Sequence, residues 1–165
     1  MHKKNFSDHG FTFIELIVVM GIIATIATVA TLSLTTVQHK TYLAASVHTV
    51  IADLRKQQIR AMVADTTGGG AAEPYGIFFE SNQYTLFRGT AYNAADPENA
   101  VVLLTNANIQ MSGTTFTGAQ VVFTPLSGEV DSFVNGQDSI TITNTVTNES
   151  QTIVINKLGI VTDLN

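Results

Sequence analysis

From Phe11 to Val37 the chain carries a single ionisable side chain, Glu15, in a run otherwise built of Ile, Val, Leu, Ala and Thr. As an α-helix this run would extend about 40 Å, longer than the ~30 Å hydrocarbon core of a bilayer. It can span a membrane. Lys3 and Lys4 lie before it, and the preference of basic residues for the cytoplasmic side keeps that end inside and sends the remainder outward. The small and hydroxyl residues Gly21, Ala24, Thr25, Ala27, Thr28, Ala30 and Thr31 suit close helix packing, with threonines bonding back to their own carbonyls. Glu15 is the anomaly, because an ionisable group in hydrocarbon costs on the order of a few kcal/mol unless it sits at the interface or meets a partner.

The remaining chain has the length and apolar content for one globular domain: 165 residues in all, 45% of them hydrophobic. A formal charge of −5 gives no general attraction to phosphate backbones. The basic cluster Arg55, Lys56 and Arg60 reads as the solvated face of a helix. The sequence contains no cysteine, which excludes disulfide staples, thiolate metal sites and cysteine nucleophiles. His2, His9, His39 and His48 are not at ligand spacing. Gly68-Gly69-Gly70 lacks the Lys-Ser/Thr of a phosphate loop, and no nucleophile elbow or carboxylate pair frames the serines and aspartates. Neither an enzyme nor a cofactor is expected.

Beyond the apolar run, Leu43, Val47, Val50, Ile51, Leu54, Ala61 and Met62 recur near helical spacing, with Lys40, Asp53, Arg55, Lys56 and Arg60 largely off that stripe. The helix therefore continues with one buried face. It is expected to stop near Asp65, where Thr66-Thr67-Gly68-Gly69-Gly70 supplies a terminating glycine. No proline precedes Pro74, so no proline kink is expected. From there the composition turns to strands: Tyr75–Glu80, Gln83–Arg88 across a Ser81-Asn82 turn, Val101–Leu104, Val121–Thr124, Ser139–Thr143, Thr152–Ile155 and Ile160–Thr162. Polar turns at Thr147–Ser150 and Asn156–Gly159 imply antiparallel hairpins. The fold class is α+β: a long N-terminal helix, half membrane and half amphipathic, packed on an antiparallel β-sheet domain.

Gly10-Phe11-Thr12-Phe13-Ile14-Glu15-Leu16 resembles the processing site of type IV prepilins and type II secretion pseudopilins. The resemblance implies that a prepilin peptidase cuts after Gly10 and methylates the new amine of Phe11, and that Glu15 is the family's charged position. Phe13 departs from the usual leucine. It divides the chain into a leader (1–10), a transmembrane and assembly half-helix (11–37), an amphipathic half (38–66) and a β-rich domain (71–165). Glu15 lies one turn from the new amine and complements the positive end of the helix dipole. The family reading pairs its carboxylate with the terminal amine of a neighbouring subunit. Implied partners are the prepilin peptidase/methyltransferase, other pilin or pseudopilin subunits and an inner-membrane assembly platform. The implied location is a single-pass cytoplasmic membrane protein whose domain lies in the periplasm or outside the cell.

Leu54-Arg55-Lys56-Gln57-Gln58-Ile59-Arg60-Ala61, Tyr75-Gly76-Ile77-Phe78-Phe79, Phe123–Gly128 and Ile155–Val161 are similar, in that order, to the grouping of pseudopilin H and FimT-like minor pilins. That grouping implies a minor structural subunit. Some members bind DNA through arginines beside the last glycine. Here Gly159 is followed by Ile160-Val161-Thr162-Asp163 and only Lys157 is basic, so nucleic acid is not expected as a partner. The alternatives are an adhesive or DNA-uptake minor pilin presenting aromatics such as Tyr92, and a soluble domain freed by ordinary signal cleavage after Ala24, Ala27 or Ala30. Asp131, Asp138 and Asp163 are read as turn residues, not calcium ligands.

Overall fold

The computed structural model describes residues 11–65, 71–104 and 106–165, with side chains for all of these except 30–39. The leader 1–10, Gly10 included, and the glycine run Gly68–Gly70 lie outside the described residues. The chain divides into two compact units, Met1–Gln38 and His39–Asn165.

Helix α1 runs Phe13–Met62. Its last turns bury Leu43, Val47, Val50, Ile51, Leu54 and Ala61, as the spacing predicts, whereas Met62 stays 47% exposed. The stripe ends one step earlier than expected because the chain reverses there. The Asp65 N–H reaches the Arg60 carbonyl at 3.0 Å and the Ala64 N–H reaches Ala61 at 3.1 Å, the paired bonds of a Schellman stop. Ala64 takes the left-handed position, φ 51°. The helix thus ends before the glycines on an alanine, a residue whose Cβ disfavours that conformation. The surroundings hold it there. Arg60 bonds Asp65 at 3.0 Å and lies 4.3 Å over the Tyr75 ring, while the Tyr75 hydroxyl donates to the Asp65 carbonyl at 3.0 Å.

Eight strands follow: β1 (Tyr75–Phe79), β2 (Gln83–Arg88), β3 (Ala100–Leu103), β4 (Ile109–Thr114), β5 (Gln120–Phe123), β6 (Ser139–Asn144), β7 (Ser150–Ile155) and β8 (Val161–Leu164). They form two sheets, ordered β3-β2-β1-β5 and β4-β6-β7-β8, with every named pairing antiparallel. The architecture is the expected α+β, pilin-like one. Ser81-Asn82 makes the β1–β2 turn, closed by the Glu80 N–H on the Gln83 carbonyl at 3.0 Å. β4 is the strand that sequence reading misses. Gln110, Ser112 and Gly113 dilute its alternation to Ile109 and Met111, the two side chains it buries.

One apolar core joins Leu43, Val47, Val50 and Leu54 of α1 to Tyr75, Ile77 and Phe79 of β1 and to Ile140, Ile142, Ile153 and Ile155 of β6 and β7. The period-2 pleat explains the choice in β6, where Ile140, Ile142 and Asn144 are buried and the residues between are not. On the opposite face of the first sheet, the segment after β2 folds back so that Tyr92 stacks on Phe78 with centroids 4.1 Å apart and meets Phe87 edge-on at 5.8 Å. Gly76 is required beneath this layer: a Cβ there would overlap the Phe87 ring and the Val121 carbonyl.

Candidate functional site

Two places hold the residues that the sequence singles out. The first is the N-terminal unit. Phe11 is 82% exposed, and the first helical bond runs from the Leu16 N–H to the Thr12 carbonyl at 3.1 Å. Thr12 is the N-cap: its Oγ1 accepts the Glu15 N–H at 3.3 Å. Thr12-Phe13-Ile14-Glu15 thus has the Ser/Thr-x-x-Glu spacing of a capping box, in which the acid stands at the third helical position. Sequence reading missed the Thr12 cap, although the spacing was there to be read.

Every large apolar side chain described here is open: Phe11, Phe13, Ile14, Leu16, Ile17, Val18, Val19, Met20, Ile22, Ile23, Ile26 and Val29 are between 43% and 82% exposed. They occupy consecutive positions and therefore all sides of the helix. Within this apolar surface the hydroxyls are satisfied locally, Thr25 donating to the Ile22 carbonyl and Thr28 to Ala24, each at 2.8 Å. Among the described residues nothing outside the helix's own backbone lies within 4 Å of a Cβ placed on Gly21. Among the described residues no helix is long and apolar enough to cross a membrane; described side chains of the apolar run stop at Val29, short of the ~20 residues a span takes.

The second place is the junction of the amphipathic half of α1 with the sheets. Gln57 occupies the next position of the buried stripe after Val50 and Leu54 and is fully buried. Its Nε2 donates to the Gly76 carbonyl at 2.9 Å and leans toward the Phe87 carbonyl at 3.4 Å, which pins the helix to the β1–β2 ladder, while its buried Oε1 has no partner among the described residues. Gln58, beside it, donates to the carbonyls of Gly128 at 3.0 Å and Leu158 at 2.6 Å. One side chain thereby ties the helix to both late turns. Gly128 and Gly159 both have positive φ, and a Cβ on either would overlap Met62 or Gln58. The Gln-Gln pair was visible in the sequence as a polar interruption of an apolar stripe.

Asp53 accepts a bond from the Tyr84 hydroxyl at 2.5 Å. Burial, and then that bond, push the phenol pKa well above its ordinary value, so Tyr84 stays a donor at every physiological pH. Beside the junction lies a cleft of about 370 Å³ with Lys56, Gln57, Arg60, Arg88 and Glu98 on its walls. Two of its cations are already neutralised, Arg60 by Asp65 and Arg88 by Glu73 at 2.6 Å and Glu98 at 3.4 Å; the bond to Glu73 raises the Arg88 pKa further.

The other candidates are dispersed. Among the described residues no cluster of His, Asp and Glu could hold a metal ion. The Asp163 carboxylate receives the Leu164 N–H and the Asn165 side chain, and Asp138 receives the Gly136 N–H at 3.4 Å. Tyr92 is not the exposed aromatic the sequence suggested, since Phe78 and Phe87 cover it and its N–H is held by Gln120 Oε1 at 2.9 Å. No curated protein and no solved structure matches the chain. Residues 5–31 match the family model described as the prokaryotic N-terminal methylation motif. Over those residues the chain therefore carries a methylation motif of the prokaryotic N-terminal kind.

Proposed function

We propose that this protein is a structural, non-catalytic subunit of a type IV pilus or type II secretion pseudopilus, a minor one of the H-like kind. The observation that carries the reading is the N-terminal half of α1, whose described large apolar side chains are exposed on all sides. Removing one such side chain from water is worth about 1.5–3 kcal/mol when burial is complete. The surface so exposed needs lipid before assembly and like helices after it. In this reading the peptidase cuts after Gly10 and methylates Phe11. The Glu15 carboxylate, one turn away, then meets the amine of a neighbouring subunit, and the helix leaves the cytoplasmic membrane for a bundle whose outer wall is the β domain.

The test is mass spectrometry of the mature protein together with filament assay of Glu15→Ala. A chain that starts at methylated Phe11, with filaments lost in the variant, supports the proposal. A chain that starts after Ala24, Ala27 or Ala30 replaces it with ordinary secretion. A correctly processed Glu15→Ala chain that still forms filaments in normal yield removes the pairing role of Glu15.

A further inference from the structure

A four-stranded open sheet has two edges, and each edge offers unpaired N–H and C=O groups to any extended chain that arrives. In this molecule the edges are β3 and β5 in one sheet and β4 and β8 in the other. Three of them are blunted. β5 is covered by the segment after it: the Asp131 N–H bonds the Val122 carbonyl and the Thr124 N–H bonds Glu129, each at 2.8 Å, with Val130 bridging Phe123. β4 is bulged between Met111 and Gly113, and the N–H groups of Ile109 and Met111 are taken by Asn106 and Ser81, each at 2.9 Å. β8 is paired across a bulge and carries Asp163, whose carboxylate occupies the Leu164 N–H at 2.9 Å.

β3 has none of these devices. Its sequence Ala-Val-Val-Leu holds no charge and no proline, and its pairing with β2 is regular. The Leu104 N–H bonds the Asn82 carbonyl at 3.2 Å, which makes 104/82 a hydrogen-bonded pair. In an antiparallel ladder such pairs alternate. Val102 and Ala100 therefore turn their backbone groups toward β2, and Val101 and Leu103 turn theirs outward. Among the described residues those outward N–H groups have no partner. Their side chains are also open, at 56% and 73% exposure.

We propose that β3 is a docking edge for a second copy of this chain, β3 against β3, antiparallel and centred on Val102. In that register Val101 of one copy faces Leu103 of the other as a hydrogen-bonded pair, twice over by symmetry. All four outward N–H groups and all four outward carbonyls of the two strands are then used. Cross-strand Val–Leu contacts form on the outer face. The two-fold relation makes the contact isologous and self-closing. A second copy is the fitting occupant because β3 is the edge that the described residues leave open and because an uncharged strand meets itself without repulsion. This contact uses a different surface from the apolar helix, and it joins subunits in pairs instead of extending a filament.

The sequence has no cysteine, which makes a register test direct. Full-length Val101→Cys and Leu103→Cys, and Ala95→Cys as an exposed control, are purified in detergent micelles, where no filament forms, then mixed and oxidised. Facing residues of a hydrogen-bonded pair have Cα atoms ~5.5 Å apart, within disulfide reach, whereas same-numbered residues sit on the diagonal and beyond it. The expected result is about tenfold more disulfide dimer from the Val101→Cys and Leu103→Cys mixture than from either variant alone or from the control. Equal yields from the mixture and from either variant alone overturn the proposal. So does a mixture no better than the control, or a cross-link to a different polypeptide in membranes with none between copies.

Discussion

The two halves of α1 have the same secondary structure and opposite chemistry. From Phe13 to Val29 the large apolar residues face outward all round the helix, while from Leu43 to Ala61 they converge on one stripe that a core covers. The bonds described in the first half are local ones: the helical backbone, the Thr12 cap and the hydroxyls of Thr25 and Thr28 on their own helix. The second is locked by apolar packing and by Gln57, Gln58 and Asp53. What the difference teaches is that a continuous helix can be stable along its length for two reasons, one supplied by the fold and one by whatever surrounds it.

That contrast breaks most decisively on leucine. Leu54→Ala should cost about 2–5 kcal/mol in thermal or denaturant unfolding of the full chain in detergent, because it empties a buried site. Leu16→Ala, at 52% exposure, should change stability by less than about 0.5 kcal/mol in the same assay. Equal losses would mean that the two halves share a core. The next largest effect belongs to Gln57→Ala, which removes the donor to the Gly76 carbonyl and leaves a void; a loss of about 1–3 kcal/mol is expected from denaturant midpoints.

Tyr84 sharpens the comparison through pH. Its folded pKa lies above its ordinary value, so above about pH 10 the unfolded chain releases a proton that the folded one still holds. The stability tied to this phenol is complete below that pH and declines as pH rises further, by at most about 1.4 kcal/mol per pH unit. Tyr84→Phe should cost about 1–2 kcal/mol at neutral pH through the lost bond to Asp53 and should flatten the alkaline limb. A variant as steep as the parent would assign that limb to other groups. The smallest effect is at the other end of the helix, where Thr12→Ala should reduce stability by about 0.5–1 kcal/mol and fray the first turn in amide exchange. Thr12→Ser should restore it.

Much of the fold was legible because it rests on local rules. The stripe through Leu43, Val50 and Leu54, the Ser81-Asn82 turn and the Ile140/Ile142 alternation are each written within a few residues. The errors fall where a distant partner decides. Ala64 adopts the left-handed stop that the glycines were expected to provide, because Arg60, Asp65 and Tyr75 hold it. Met62 escapes burial by that reversal. Tyr92 is covered by rings on two strands, and β4 is a strand because β6 pairs with it. At the candidate site the segment that holds Gly10, Phe11 and Glu15, inside the matched residues 5–31, stood out in the sequence by its resemblance to a processing site. The double grip of Gln58 on Gly128 and Leu158 was not, because those carbonyls are 70 and 100 residues away.

By itself the amino-acid order determined the helix and its change of character, from apolar on every side to apolar on one, since hydropathy and a 3.6-residue period are properties of neighbouring residues. It also placed the single acid of the apolar run four residues beyond Phe11. Only the tertiary structure decided which glutamines became clamps and which of the four sheet edges stayed open, because a backbone N–H is free or taken according to what the rest of the chain brings beside it.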